Sequence, residues 1–226
     1  VWKRYIETLK LKYQKREKIN SIQDFDVSKN EKDISIVIVN YKSWKYLKSC
    51  LEGLLKIEET DFTFEVIVVD NKSNDGKLEE FSKQFKQFKF IENTGNNGFA
   101  NGCNTGALHS EGNNILFLNP DTIATQEAIL AMLKVLKDNP NYGIVSCNQI
   151  NNKGFYENRD RIFPAFFTMF GATRAFYRIF AKKSKENKQL IFPEWVSGSV
   201  VFITRKWFRK INGWNEDYWM YYEDVD

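Results

Sequence analysis

From Ile34 onward, short apolar runs alternate with stretches whose apolar side chains recur every three or four residues. Runs that are apolar on both faces mark strands buried in a parallel sheet, and their alternation with helices marks strand-helix-strand units. The pattern predicts strands at Ile34–Val39, Phe64–Val69, Phe88–Ile91, Ile115–Leu118, Gly143–Ser146 and Ser199–Ile203. It predicts helices at Lys45–Lys56, Lys77–Phe85, Ala100–His109, Gln126–Lys137 and Lys206–Ile211. Ahead of these, Trp2, Ile6, Leu9 and Tyr13 form one stripe, with Lys3, Arg4, Lys10, Lys12 and Lys15 on other faces. That spacing predicts a basic amphipathic helix, which either rests its stripe on the domain or adsorbs to an anionic membrane surface. Asn20–Asp33 is polar and unpatterned, so residues 1–30 read as an arm and linker preceding a domain over 31–226. Between Asn151 and Glu194 the alternation lapses into an aromatic and basic stretch, read as an insertion lying over one side of the sheet.

Length and composition narrow the possibilities. A chain of 226 residues buries roughly 70% of the surface its unfolded form exposes, so a full core is available. No apolar run of about 18 residues is present to span a bilayer. Cys50, Cys103 and Cys147 are too few and too scattered for a disulfide framework or a zinc ribbon, and read as buried thiols of a cytoplasmic protein. His109 is the only histidine, which removes His-rich zinc sites and makes any metal a hard one, Mg²⁺ or Mn²⁺, on carboxylates. Residues 1–20 hold seven Lys/Arg and two Asp/Glu, so the +4 of the whole chain leaves the remainder at one net negative charge. A nucleic-acid face on the domain is therefore not expected. The chain starts at Val1 and stops at Asp226 inside an acidic, aromatic cluster, reading as a piece of something longer, without a signal-peptide pattern.

In an open parallel sheet the ligand crevice lies beyond the carboxyl ends of the strands. Asn40-Tyr41 follows the first predicted strand, Asp70 to Gly76 the second, and Asn119-Pro120-Asp121 the fourth. After the third comes Glu92 to Gly106, dense in glycine and asparagine. It lacks the glycine spacing of a dinucleotide fingerprint, and no Gly-Lys-Ser/Thr of a P-loop occurs. Its glycines allow close backbone approach and its amides donate and accept, which suits a ribose and diphosphate at a helix start, or equally a loop of turn formers. Asp121 reads either as a carboxylate meeting a phosphate-bridging metal or as the N-cap of the next helix. The segment Gly213 to Asp226 sets five carboxylates among aromatic rings, either proton acceptors or acidic residues at a helix start.

Seven pieces, in order, carry a resemblance: Ile36 to Tyr41, Val68 to Ser73, Asn97 to Gly106, Leu118 to Asp121, Arg161-Ile162-Phe163-Pro164, Trp195 to Ser199 and Tyr222-Glu223-Asp224-Val225-Asp226. From Ile34 to Asp226 the chain resembles the inverting glycosyltransferases of family 2, particularly their rhamnosyltransferase-like branch. The resemblance implies an α/β GT-A (nucleotide-diphospho-sugar transferase) fold with a mostly parallel central sheet flanked by helices. Because family members continue further, it implies C-terminal truncation too. It implies a UDP- or dTDP-sugar donor, with dTDP-rhamnose among the candidates, a saccharide or lipid-linked acceptor, inversion, and a place in surface polysaccharide assembly. Asp224, with Glu223 beside it, corresponds to the general base. Asp70 corresponds to the partner of the pyrimidine, with Asn40, Tyr41 and Asn71 in the same pocket, and Asn97, Gly98 and Asn101 run along the ribose and diphosphate. Asp121 corresponds to the last acid of the metal motif, with Asn119 in place of its first. Trp195, Ser197 and Gly198 fall on the acceptor side. Residues 1–20 fit peripheral membrane contact. The rival readings are a nucleotide-sugar-binding or inactive module of the same fold and a nucleotidyltransferase, the latter disfavoured because no Gly-rich loop with arginine and lysine follows the first strand.

Overall fold

The apolar run after Asp33 forms the strand at the centre of the sheet: β1 (Lys32–Asn40) is buried without a break from Ile34 to Asn40. Parallel strands flank it on both sides, β2 (Phe64–Asp70) and β4 (Gly112–Leu118), and β3 (Lys89–Glu92) pairs in parallel with β2. Beyond β4 lie β6 (Val200–Thr204), antiparallel to it, and β5 (Ile144–Val145), antiparallel to β6, giving the order β3-β2-β1-β4-β6-β5. This computed structural model describes residues 19, 22, 32–151, 153–156 and 190–220. The predicted helix over residues 1–20 lies outside them apart from Ile19, as do Arg161 to Pro164 of the insertion and Tyr222 to Asp226.

Every strand and helix expected from Ile34 on is present, with ends displaced by up to three residues. The largest displacement is at β4, which begins at Gly112 although its first three residues, Gly-Asn-Asn, carry no apolar signal. Main-chain and amide bonding makes that start: Gly112 pairs with Lys32, and Asn114 Nδ2 donates to Asp33 O at 3.0 Å. The helices are α1 (Trp44–Leu54), α2 (Lys77–Gln84), α3 (Phe99–Leu108), α4 (Gln126–Asp138) and α5 (Arg205–Lys210). On α1 the buried face is Trp44, Leu47, Cys50, Leu51 and Leu54, a three-four repeat that explains why this segment is a helix. Thr125 caps α4, its Oγ1 accepting from Ala128 N at 3.3 Å, so the N-cap alternative for Asp121 is removed.

α3 is an unusual helix, because Gly102 and Gly106 would each weaken an isolated helix by roughly 1 kcal/mol relative to alanine. Tertiary packing explains them. A β-carbon at Gly102 would stand 2.6 Å from Val39 Cγ1, and one at Gly106 would overlap Val37 Cγ1. The two glycines are one helical turn apart and bring the axis of α3 close to β1 and β2. At the amino ends of the strands a buried cation closes the same layer: Arg205 donates through Nε to Gly112 O at 2.6 Å and through Nη2 to Ser110 Oγ at 2.9 Å. Burial lowers its pKa to about 10, against the pull of Glu65 and Glu111, which leaves it charged at neutral pH.

The described residues fall into two compact units, the first running up to Ser146 and resuming at Gly198, the second lying between Cys147 and Ser197. The stretch where the alternation lapses falls within the second unit, whose described part includes an antiparallel bridge between Ile150 and Tyr156. Cys50 and Cys103 are buried as expected, whereas Cys147, at the start of the second unit, is only half-buried. No described helix is long and apolar enough to cross a membrane.

Candidate functional site

The chain runs from β1 to β2 and β3 on one side and returns to β4 on the other, so the order reverses between β1 and β4 and the crevice opens at their carboxyl ends. Asn40 is the last residue of β1 and stands in register with Asp70, the last of β2. Their side chains meet: Asn40 Nδ2 donates to Asp70 Oδ1 at 2.7 Å. Ser73 donates to the same carboxylate twice, from Oγ to Oδ1 and from its backbone N to Oδ2, both at 2.7 Å. Asp70 is 1% exposed, and three of its roughly four acceptor positions are used inside the protein, which leaves one on Oδ2. The loops around the pair are held in left-handed conformations at Lys42 (φ 54°), Lys72 (φ 56°) and Asn74 (φ 53°). Lys42 N donates to Ser73 Oγ at 2.9 Å, tying the β1 loop to the β2 loop. Tyr41 stays exposed at the rim.

The glycine- and asparagine-rich loop lies under this pair and is largely buried at Asn93, Asn97, Gly98 and Asn101. The buried amides there, with that of Asn71, are spent inside the protein. Asn71 Nδ2 donates to Gly98 O at 3.0 Å, Asn93 Nδ2 donates to Asn71 Oδ1 at 3.0 Å and to Asn101 Oδ1 at 2.8 Å, and Asn97 Nδ2 donates to Thr94 Oγ1 at 3.1 Å. Gly98 has φ 101°, and a β-carbon there would overlap the carbonyl of Trp219. That carbonyl also accepts from Phe99 N at 3.1 Å, so the start of α3 is closed by the segment after α5.

Sequence reasoning missed Glu216, which lies in that segment and is 9% exposed. It accepts from Asn101 Nδ2 at 2.8 Å, Asn104 Nδ2 at 2.7 Å and Ile19 N at 3.2 Å. The available signal was the spacing of Asn101 and Asn104, three apart on one face of a helix whose other face is glycine and alanine.

After β4, Asn119 is half-buried with its N–H on Ser199 O at 3.0 Å, and Asp121 is exposed in the turn that follows. The field of Asp121 reaches Cys50 in α1, where burial first and Asp121 second raise the thiol pKa to about 12. Among the described residues no group of three or more His, Cys, Asp or Glu side chains could hold a metal ion by itself. A carboxylate and an amide, without soft ligands, do fit a hard cation that takes its remaining oxygens from water and a diphosphate. Of the residues expected on the acceptor side, Gly198 is buried just before β6, while Trp195 and Ser197 belong to the second unit. Glu223 and Asp224 lie outside the described residues.

Comparison with known proteins bears on this geometry. The family model described as glycosyl transferase family 2 matches residues 35–211. A low-salt glycan biosynthesis hexosyltransferase of Haloferax volcanii, Agl10, is 29% identical over 198 residues, covering 86% of this chain and 60% of its own. The rhamnosyltransferase WbbL of Escherichia coli is 24% identical over 205 residues, covering 85% of this chain and 74% of its own. Among solved structures, the mannosyltransferase PcManGT of Pyrobaculum calidifontis, in complex with GDP-Man and Mn²⁺, superposes with a TM-score of 0.57 at 17% identity, over 94% of this chain and 54% of that one. The structure of S. aureus TarS 1-349 in complex with UDP gives 0.58 at 17% identity, over 85% of this chain and 53% of that one. These likenesses are of fold, the GT-A fold. The chain thus spans little more than half the length of several proteins it matches.

Proposed function

Since the chain belongs to glycosyl transferase family 2, we propose that it transfers a sugar from a uridine or thymidine diphosphate donor, with inversion, to a hydroxyl of a saccharide or lipid-linked acceptor in surface polysaccharide assembly. The observation that carries this reading is the Asn40–Asp70 pair, joined at 2.7 Å at the carboxyl ends of adjacent parallel strands beside the point of strand reversal. A pyrimidine edge presents a ring N–H, and the remaining acceptor position on Asp70 Oδ2 matches it in chemistry. Tyr41, exposed at the rim, offers a ring face for the base. Asn71, Asn97, Gly98 and Asn101 form the floor beneath the ribose and diphosphate, their amides holding the loop's shape in place of touching the donor.

A divalent ion, Mg²⁺ or Mn²⁺, would be held by Asp121 with Asn119 and would supply positive charge to the diphosphate as it leaves. Asp224 takes the proton of the acceptor hydroxyl, a contribution typically worth about 10²–10⁴-fold. The seven Lys/Arg that accompany the apolar stripe of residues 1–20 support work at the cytoplasmic face of a membrane. Thermal melting tests the donor assignment. UDP and dTDP are expected to raise Tm, adenine and guanine diphosphates to raise it less, and Asp70→Asn to shrink the pyrimidine-specific part. Equal shifts with all four nucleotides would remove the reading.

A further inference from the structure

Resting on the donor reading above, we propose that Glu216 is a positioning residue that couples the nucleotide-facing loop to the segment leading to Asp224. An amide has a donor end and an acceptor end, so a chain of amides is directional and needs an acceptor-only group where it stops. Such a chain branches at Asn93. Its Nδ2 donates towards the crevice, to Oδ1 of Asn71 next to Asp70 at 3.0 Å, and inward to Asn101 Oδ1 at 2.8 Å; Asn101 Nδ2 then donates to Glu216 Oε2 at 2.8 Å. The other oxygen of Glu216 takes Asn104 Nδ2 at 2.7 Å. Both carboxylate oxygens therefore face donors, and a glutamine would set its NH₂ against one of them. Glu216 is the stop.

The same segment is fastened to the loop at further points. Asn104 exchanges two hydrogen bonds with the backbone of Trp214, each 2.9 Å. Trp214 packs edge-on against Phe99 at 6.0 Å and Phe117 at 5.4 Å. Trp219 closes the start of α3 with its carbonyl and donates from Nε1 to Asn96 O at 3.3 Å. Trp219 is five residues before Asp224 in the chain. Order in the loop beneath the nucleotide and order in the approach to Asp224 thus share one buried group.

Hydrogen exchange on the full chain tests this in two arms, with UDP as the probe. Without ligand, Glu216→Gln is expected to speed exchange in 93–104 and 212–220 together, by roughly tenfold, with β1 and β2 unchanged. With saturating UDP, wild type slows exchange in 212–220. Glu216→Gln binds UDP within about threefold of wild type yet shows no such slowing, and Glu216→Asp, which keeps two acceptor oxygens, restores it. Loosening of 212–220 alone, or undiminished protection by UDP in Glu216→Gln, overturns the coupling. If Glu216→Gln does not fold, Asn101→Ala, which removes the donor to Glu216 Oε2, carries the ligand-free arm, where loosening of one segment without the other overturns the coupling. A wild type that binds no UDP overturns the donor reading and the nucleotide end of the coupling, while the ligand-free arm decides the link between the two segments independently.

Discussion

Gly98 sits where two demands meet in one residue. Its φ of 101° lies where side chains are rarely found, and the space its β-carbon would need is occupied by the Trp219 carbonyl. Gly98→Ala is expected to lose about 1–3 kcal/mol in urea unfolding, with the m-value unchanged; a loss below about 0.5 kcal/mol would mean that the closure over α3 yields easily. Cys50 makes a different prediction, about pH. Burial, with Asp121 adding, raises its pKa from 9.0 to about 12. Below pH 9 the thiol is protonated in both folded and unfolded chains. Above it the unfolded chain ionises while the folded one cannot, so this contribution to stability is fully present below pH 9 and is lost as pH rises towards 12. The stability difference between wild type and Cys50→Ala should accordingly narrow across that window, and a constant difference would show the thiol ionising equally in both states. The composition of the 93–106 stretch suited a ligand-facing helix start and a run of turn formers equally, and nothing local shows which amides face a ligand and which face one another. Asn101 is spoken for at both ends by Asn93 and Glu216, residues eight and 115 positions away.

At the scale of elements, α3 shows tertiary packing overriding intrinsic preference. Alanine at Gly106 would add roughly 1 kcal/mol of helix propensity, but its methyl would overlap Val37 on β1. Overpacking of this kind costs about 1–3 kcal/mol, so the packing term prevails and Gly106→Ala is expected to destabilise. Val37→Ala in the same chain should recover part of the loss, giving a non-additive cycle in denaturant melts; additivity would show that α3 shifts as a body instead. Strands were legible as short continuous apolar runs and helices from side-chain period, because a central parallel strand is buried on both faces while burial on a helix face repeats at a fixed local spacing. The start of β4 was not, since Gly112-Asn113-Asn114 is held by ladder pairing and an amide bond across β1, which leave no periodic trace.

For the whole molecule, the decisive feature is where the second unit interrupts the sequence of the first. The chain leaves at Ser146 and re-enters at Gly198, between antiparallel neighbours in which Val145 pairs with Phe202 and Ser146 Oγ donates to Val200 O at 2.7 Å. A short linker can bridge such neighbours, and the loop-closure term for it is small. Replacing 147–197 by a few Gly/Ser residues is therefore expected to leave a cooperatively melting sheet with native far-UV circular dichroism, and a broad, non-cooperative melt would show the units to be interdependent. The sequence alone determined the alternating α/β order, the full-sized core, the polar strand ends and, through seven ordered motifs, the family to which residues 35–211 belong. These follow from nearest-neighbour pattern and motif order, which a linear chain displays directly. Only the tertiary structure decided that Asn40 and Asp70 stand side by side, that three internal donors already occupy Asp70, and that Glu216 ties α3 to the segment after α5. Those relations depend on strand register and on which buried donors remain unpaired, and both arise only when distant parts of the chain pack together.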